Sequence, residues 1–315
     1  MKVNIALLGD YRVRIDDVSE MEQLIHIRKE VSKKPDWIKV RLPTQKQYFE
    51  LKNLLRKSSL HTVCEEAACP NIYECFSRGV ATFMIMGDVC TRYCHYCHVK
   101  TGKPAALDAS EPEHLASAIE KLGLRYVVIT CVTRDDLPDG GAAHFVACID
   151  AIREKVPSCK IEVLTSDFSY NDDALALVVA SQPDVFSHNI EAPRRVYRQV
   201  RKKGKYEESL RLLLKVKEIN PSQQTKSGFM LGLGENEDEI FEVMGDLRMI
   251  GCDFLTIGQY LQPTVKHATV EKYYHPSEFE KFAVMGKEMG FLHVEAGPLV
   301  RSSYRADRLN AHLQN

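Results

Sequence analysis

The sequence has almost no excess charge. Its 42 lysines and arginines face 43 acids, for a formal net charge of −1. No global field therefore draws the chain to nucleic acid or to an anionic membrane, and neither is expected as a partner. No apolar run approaches a spanning length. The first twenty residues include Asp10, Asp16, Asp17 and Glu20, and look like neither a secretory signal nor an acid-poor transit peptide. A cytoplasmic location is the expectation. Tryptophan is nearly absent: the single one, Trp37, reads as a packing anchor. A second CxxC pair at finger or ribbon spacing is also missing, which disfavours a structural zinc site. What the chain has in plenty is cysteine, ten residues in all. Without an export signal these point to metal or redox chemistry in a reducing compartment, not to a disulfide scaffold.

Three of the ten stand in Cys90-Thr91-Arg92-Tyr93-Cys94-His95-Tyr96-Cys97, at CxxxCxxC spacing. They follow Ala81–Met86, an apolar, β-leaning run that reads as a buried strand, so they occupy the loop at its C-terminal end. Cys94 and Cys97 alone would make an ordinary redox or zinc CxxC. Three thiolates from one short loop can instead hold three irons of a [4Fe–4S] cluster, whose usual complement is four. The remaining iron can then bind a small molecule, as the open position of a catalytic zinc does. This pattern is similar to that of the radical S-adenosylmethionine (SAM) superfamily, whose members bind SAM at the open iron.

The middle of the chain repeats one theme. Apolar runs at about Ala81–Met86, Arg125–Thr130, Lys160–Thr165, Asp184–Ile190, Lys226–Leu233 and Asp253–Gln259 alternate with helical patterns. Ser110 and Glu113 can cap a helix carrying Leu115, Ala118, Ile119 and Leu122. Phe145, Ile149, Ile152 and Val156 form the next stripe, and Leu210, Leu213 and Leu214 a later one. Such alternation predicts a parallel sheet with right-handed crossovers, either a six-unit partial (β/α)6 barrel or an open doubly wound sheet. Function is expected at the C-terminal ends of the strands, where the three-cysteine loop lies. Ahead of this region, Val3–Leu8 and Tyr11–Ile15 flank Gly9-Asp10 as a hairpin would. Thr44 and Gln47 form a capping-box pair for a helix to about Lys57, with Tyr48, Leu51 and Leu55 on one face.

A second trio, Cys64, Cys69 and Cys75, precedes the first at CxxxxCxxxxxC spacing. Irregular spacing lets a loop wrap a bulky cluster, whereas structural zinc uses a short clip. By itself the trio could be chance; close to the first, it reads as the holder of a second iron–sulfur cluster. Together with Arg301-Ser302-Ser303-Tyr304 near the C-terminus, the two trios resemble the lipoyl synthase family. Thr133–Gly141, His188-Asn189-Ile190-Glu191, Gly232-Leu233-Gly234-Glu235 and Tyr260-Leu261-Gln262-Pro263 match as well. The resemblance runs from about Val40 to Asp307. His95 and His98 stand at positions that vary in the family, and the first thirty residues carry no family signal.

The resemblance implies an α/β fold, a partial TIM-type barrel of the radical SAM kind, with an extension (1–78), the barrel (79–290) and a tail (291–315). Extension and tail would close the barrel mouth. It implies a sulfurtransferase that inserts two sulfur atoms at C6 and C8 of an octanoyl chain on a lysine of a carrier domain, as in 2-oxoacid dehydrogenase subunits or the glycine cleavage H protein. Cofactors would be two [4Fe–4S] clusters and SAM. Cys90, Cys94 and Cys97 would bind the radical-forming cluster, and Cys64, Cys69 and Cys75 the auxiliary, sulfur-donating one. A serine, Ser303 in preference to Ser302, would be its fourth ligand. A reduced ferredoxin or flavodoxin-type electron donor and an iron–sulfur repair protein would complete the partners.

Other residues carry alternatives. His188, Asn189 and Glu191 could contact SAM or simply bond within their loop. Asp136 could orient SAM, or Asp135, Asp136 and Gly140-Gly141 could be a capped turn only. Gly232-x-Gly234 could approach SAM or turn a strand into a helix. Cys131, Cys148, Cys159 and Cys252 read as packing. Arg194, Arg195, Arg198, Arg201, Lys202, Lys203 and Lys205 form a cationic stretch that is either a solvated face or a docking site for an acidic carrier. Competing functions are a methylthiotransferase, which would bring an RNA-binding appendage not expected here, a biotin-synthase-like enzyme, an electron carrier and a zinc-stabilised binding protein.

Overall fold

Continuous apolar runs build the centre of the molecule, because a strand covered by helices on one face and by barrel interior on the other has no face for water. Tyr126–Cys131 is buried at five of its six positions and Phe254–Gln259 at all six. The computed structural model describes residues 4–8, 11–15, 34–39, 53, 55, 60–66, 69–77 and 81–313. Two units are distinguished, Met1–Asp36 and Trp37–Asn315. In the first, β1 (Asn4–Leu8) and β2 (Tyr11–Ile15) pair antiparallel with Leu8 opposite Tyr11, the expected hairpin. The helix expected from Thr44 to Lys57 lies outside the described residues, apart from Asn53 and Leu55, both helical.

The second unit opens with β3 (His61–Thr62), α1 (Val63–Glu66) and α2 (Ile72–Ser77). Then come β4 (Thr82–Ile85), β5 (Val89–Cys90), β6 (Lys100–Thr101), α3 (Glu111–Leu122), β7 (Tyr126–Cys131), α4 (Ala142–Lys155) and β8 (Lys160–Leu164). The alternation continues through α5 (Asp172–Ala180), β9 (Val185–Ser187), α6 (Arg194–Val200), α7 (Tyr206–Ile219) and β10 (Gln224–Leu231). It ends with α8 (Glu237–Met249), β11 (Phe254–Gln259), α9 (Pro276–Glu288), β12 (His293–Gly297) and α10 (Asn310–Leu313). Strand order in the main sheet is β12-β11-β10-β9-β8-β7-β4-β3. Every pairing is parallel except β3 with β4. All six expected strands are present, in sequential order. The order never reverses, so there is no switch point, and the sheet is a partial barrel, open between β3 and β12, and not a doubly wound sheet. A seventh parallel strand, β12, lies in the stretch that the sequence assigns to the tail.

Two details depart from the sequence expectation. Ser110 makes no capping bond to α3; its hydroxyl donates to Asp108 instead (2.6 Å), and Glu113 accepts from Ser117 and Lys155. Leu214 faces solvent, because the buried face of α7 is Ser209, Leu212, Leu213 and Val216. Among the described residues no helix is long and apolar enough to cross a membrane.

The two faces of the sheet divide by alternation. Val127, Ile129, Ile161, Val163, Leu255 and Ile257 pack outward into the helical layer. Tyr126, Val128, Val185 and Phe254 point the other way and cluster with Ala306 and Leu309 of the tail. Tyr126, Val185 and Phe254 are the first residues of their strands, so the tail closes the barrel where the strands begin. Just above them, Lys226 Nζ donates to both Glu162 oxygens (2.9 and 3.1 Å). Glu162 also accepts from Tyr126 (2.7 Å) and Ser187 (2.8 Å), and the whole group is buried. Lys226→Met alone is expected to destabilise the fold by about 3–5 kcal/mol, because it strands a buried carboxylate. Lys226→Met with Glu162→Leu should recover most of the loss; urea unfolding of both variants measures the difference.

Candidate active site

At the C-terminal ends of the strands, β5 and β6 pair and project the loop between Cys90 and Val99. Main-chain bonds hold this loop on three sides. Thr91 donates to the Thr133 carbonyl beyond β7 (3.1 Å), and His95 to the Val200 carbonyl that ends α6 (2.8 Å). From the segment after β11, Ala268 donates to the His95 carbonyl (2.8 Å), and His267 Nε2 to that of Cys97 (3.0 Å). The loop brings Cys90, Cys94 and Cys97 into one electrostatic neighbourhood. Burial pushes the Cys97 thiol up to about 12, and the neighbouring Cys94 and Cys90 add to the rise. Cys94 is raised for the same leading reason, although Arg201 opposes it. Burial keeps protons on Cys94 and Cys97 that a bound metal would displace, and three sulfurs on one short loop are the donor set that suits a metal cluster.

Beneath the loop lies a chain of charges that the sequence reading did not assemble. Arg92, between the first two cysteines, donates Nε and Nη2 to Asp135 (2.6–3.0 Å) and Nη1 to Asp167 (2.5 Å). Its guanidinium holds Asp135 down at about 2. Arg201 reaches Asp167 at 3.7 Å, and donates to Tyr197 (3.1 Å) and to the Asn189 carbonyl (3.4 Å). Glu191 takes hydrogen bonds from Asn189 and from Tyr96 of the cysteine loop; burial nevertheless raises it, with Arg201 opposing. Glu191 thus meets the three-cysteine loop through Tyr96, with Asn189 beside it. Position alone made Asn189 and Glu191 visible in the sequence; Asp167 and Arg201 are partnered only by tertiary contact.

Three other candidates have partners within the fold. Asp136 is taken up by Arg134, which donates Nε and Nη2 to it (2.9 and 2.8 Å), and Asp135 is the acid joined to the cluster loop. His188 is buried, with Nδ1–H donating to the Thr165 carbonyl (3.0 Å) and Nε2 facing Ser209 (3.3 Å). Burial depresses it to about 4, so it is a neutral local brace. The glycine turn after β10 is closed by Glu235, which accepts from the amides of Gly232 (2.6 Å) and Leu233 (2.9 Å). A Cβ on Gly232 would lie 2.2 Å from Gln259 Nε2 and 2.5 Å from the Lys272 carbonyl, which accounts for this glycine by packing. Cys148, Cys159 and Cys252 are buried in the core as expected; Cys131 is partly buried at the end of β7, near Cys90.

The second trio lies at the other end of the strands. Cys64 is in α1 and Cys75 in α2, and the Cys69 amide donates to the Cys64 carbonyl (3.0 Å). Burial pushes Cys64 up to about 12, with Cys69 adding to the rise. Cys69 is also raised by burial, opposed by Arg301. The tail returns to meet this trio. Asn71 donates to the Leu299 carbonyl (2.5 Å), and Tyr304 to both Glu74 oxygens (3.1 Å). Thr82, the first residue of β4, bonds the Cys64 sulfur and donates its hydroxyl to Ser303 Oγ (2.6 Å). Ser303 supplies a hydroxyl at this junction. The two trios are therefore separated along β4, whose four residues span about 10 Å.

Comparison with known proteins bears on this arrangement. A model described as the radical SAM superfamily matches residues 84–247, and one described as the N-terminal domain of lipoyl synthase matches residues 9–69. The second match enters the first thirty residues, where no family signal was expected. Among solved structures, methylornithine synthase aligns at TM-score 0.54 with 14% identity, over 80% of this chain and 75% of that one. A maturase of the [FeFe]-hydrogenase aligns at 0.53 with 14% identity, over 88% and 66%. These likenesses concern the fold. The lipoyl synthase of Symbiobacterium thermophilum is 52% identical over 95% of this chain and 93% of its own. That of Syntrophotalea carbinolica is 57% identical over 87% and 89%. With identity at that level across nearly the whole sequence, the chain belongs to the lipoyl synthase family of the radical SAM superfamily.

Proposed function

We propose that the chain inserts two sulfur atoms, at C6 and C8, into an octanoyl group carried as an amide on a lysine of a carrier domain. The observation that carries this reading is the pair of three-cysteine sites at opposite ends of the same parallel strands, one joined to the C-terminal tail through Thr82 and Ser303. Cys90, Cys94 and Cys97 would hold a [4Fe–4S] cluster with one iron left for SAM. Cys64, Cys69, Cys75 and Ser303 would hold the second, which would supply the sulfur. When bound, the first cluster and SAM supply a carbon-centred radical able to remove hydrogen from an unactivated carbon.

The chain's own residues position and shield. Asn189 and Glu191 face the cysteine loop and are assigned to SAM; Arg92, Asp135, Asp167 and Arg201 fix the loop that holds it. Ala306 and Leu309 close the far end against water. Cys64, Cys69 and Cys75 of the extension (1–78), with Ser303 of the tail (291–315), are assigned to the sulfur-donor site, and residues 79–290 to the radical site. A reduced ferredoxin or flavodoxin-type donor and an iron–sulfur repair protein are the remaining partners, in the cytoplasm. An iron–sulfur electron carrier or zinc protein is distinguished cheaply. After anaerobic reconstitution, about eight irons and eight acid-labile sulfides per chain are expected. Stoichiometric zinc in place of iron would contradict the reading.

A further inference from the structure

The cationic stretch 194–205 is not one surface. Arg194 pairs with Glu207, Glu242 and Asp246, and Arg195 with Glu239. Arg201 turns inward to Asp167, and Lys205 lies over the Tyr170 ring. That leaves Arg198, Lys202 and Lys203, all exposed and none with an acidic partner among the described residues. Lys202 and Lys203 stand on a rigid turn. Gly204 donates back to the Arg201 carbonyl (3.1 Å) and packs so closely that a Cβ there would meet Tyr197 Oη at 2.7 Å.

This turn is one bond from the candidate radical site, because the Val200 carbonyl holds the His95 amide. On the opposite side of His95, the bond from Ala268 anchors the segment that displays Val265, 80% exposed, and Lys266. Between the two lies Tyr93, 48% exposed, its ring 5.4 Å from that of His95 and 6.4 Å from that of His267. An aromatic and an aliphatic side chain left in water, beside cations without internal partners, is the composition of a docking face with apolar anchors and a charged rim.

We propose that Arg198, Lys202, Lys203, Lys266, Tyr93 and Val265 form the docking face for the folded carrier domain, which presents an acidic surface and delivers its acyl-lysine past Tyr93. This rests on the reading of the chain as a sulfur-inserting enzyme acting on a carrier. The three cations without acidic partners leave a local positive patch that favours a partner of opposite charge, and their place on the rim of the radical site selects the partner that brings the acyl chain there.

The test uses the reconstituted full-length enzyme with two substrates, an octanoylated carrier domain and a short octanoyl-lysine peptide. Arg198→Glu, Lys202→Glu and Lys203→Glu together should raise KM for the domain at least tenfold and flatten its dependence on salt. KM for the peptide should change less than twofold. Val265→Asp should independently weaken domain binding, measured by calorimetry. Equal losses with both substrates, or no loss with either, would overturn the proposal. So would loss of affinity for transfer RNA with domain KM unchanged. Failure of the unaltered enzyme to form product on either substrate would instead remove the functional reading beneath it.

Discussion

With Cys90, Cys94 and Cys97 all replaced by alanine, reductive cleavage of SAM to 5′-deoxyadenosine is expected to disappear completely. Iron content should fall by half, from about eight atoms to about four. The fold should survive, because the loop is held by main-chain bonds from Thr133, Val200 and Ala268 and not by its side chains. Burial raises the Cys94 and Cys97 thiols, so neither carries a charge whose loss would unsettle the loop. Cleavage of SAM at the unaltered rate in this variant would refute the assignment of the radical site.

The complementary variant, Cys64, Cys69 and Cys75 to alanine, is expected to cleave SAM and yet form no carbon–sulfur bond. The two cysteine trios share no residue and lie at opposite ends of β4, so loss of one should leave the other in place. Lipoyl product from this variant, with no other sulfur source added, would mean that the second trio is not the donor site. The same assay separates the two serines. Ser303 meets Thr82, which itself bonds Cys64. Ser303→Ala should therefore slow sulfur insertion by about tenfold or more, the scale seen when the surroundings of a metal site are disturbed. Ser302→Ala should have a far smaller effect. An alkoxide is a harder ligand than a thiolate and a poorer match for a sulfur-rich iron site. It is thus suited to leave first when sulfur is given up.

The barrel was legible in the sequence because its strands are buried on both faces and read as unbroken apolar runs. β12 was not, since only Val294 of its five residues is buried, as befits the edge of the sheet. The hairpin Asn4–Ile15 was legible from its turn residues, whereas the helix cap at Ser110 was lost to a competing bond with Asp108. Cysteine spacing marked both trios, because three ligands on one short loop are a local property. The acids around them were harder. Asp136 pairs with Arg134 two residues away, whereas Asp135 is joined to Arg92 only across the fold. Arg201 looked like one more surface cation, yet it is buried beside Asp167. The sequence placed the tail over the barrel mouth; the contacts of Ala306 and Leu309 put it at the end where the strands begin.

In the proposed reaction, sulfur moves from the chain's own cluster to the acyl chain. The most direct test is mass spectrometry of an octanoyl-lysine carrier peptide, incubated with SAM, a reductant and enzyme reconstituted with heavy sulfide. The predicted result is a one-sulfur intermediate followed by a two-sulfur product, both carrying the heavy label. Unlabelled sulfur in the product, or an octanoyl peptide left unchanged while SAM is consumed, would contradict it.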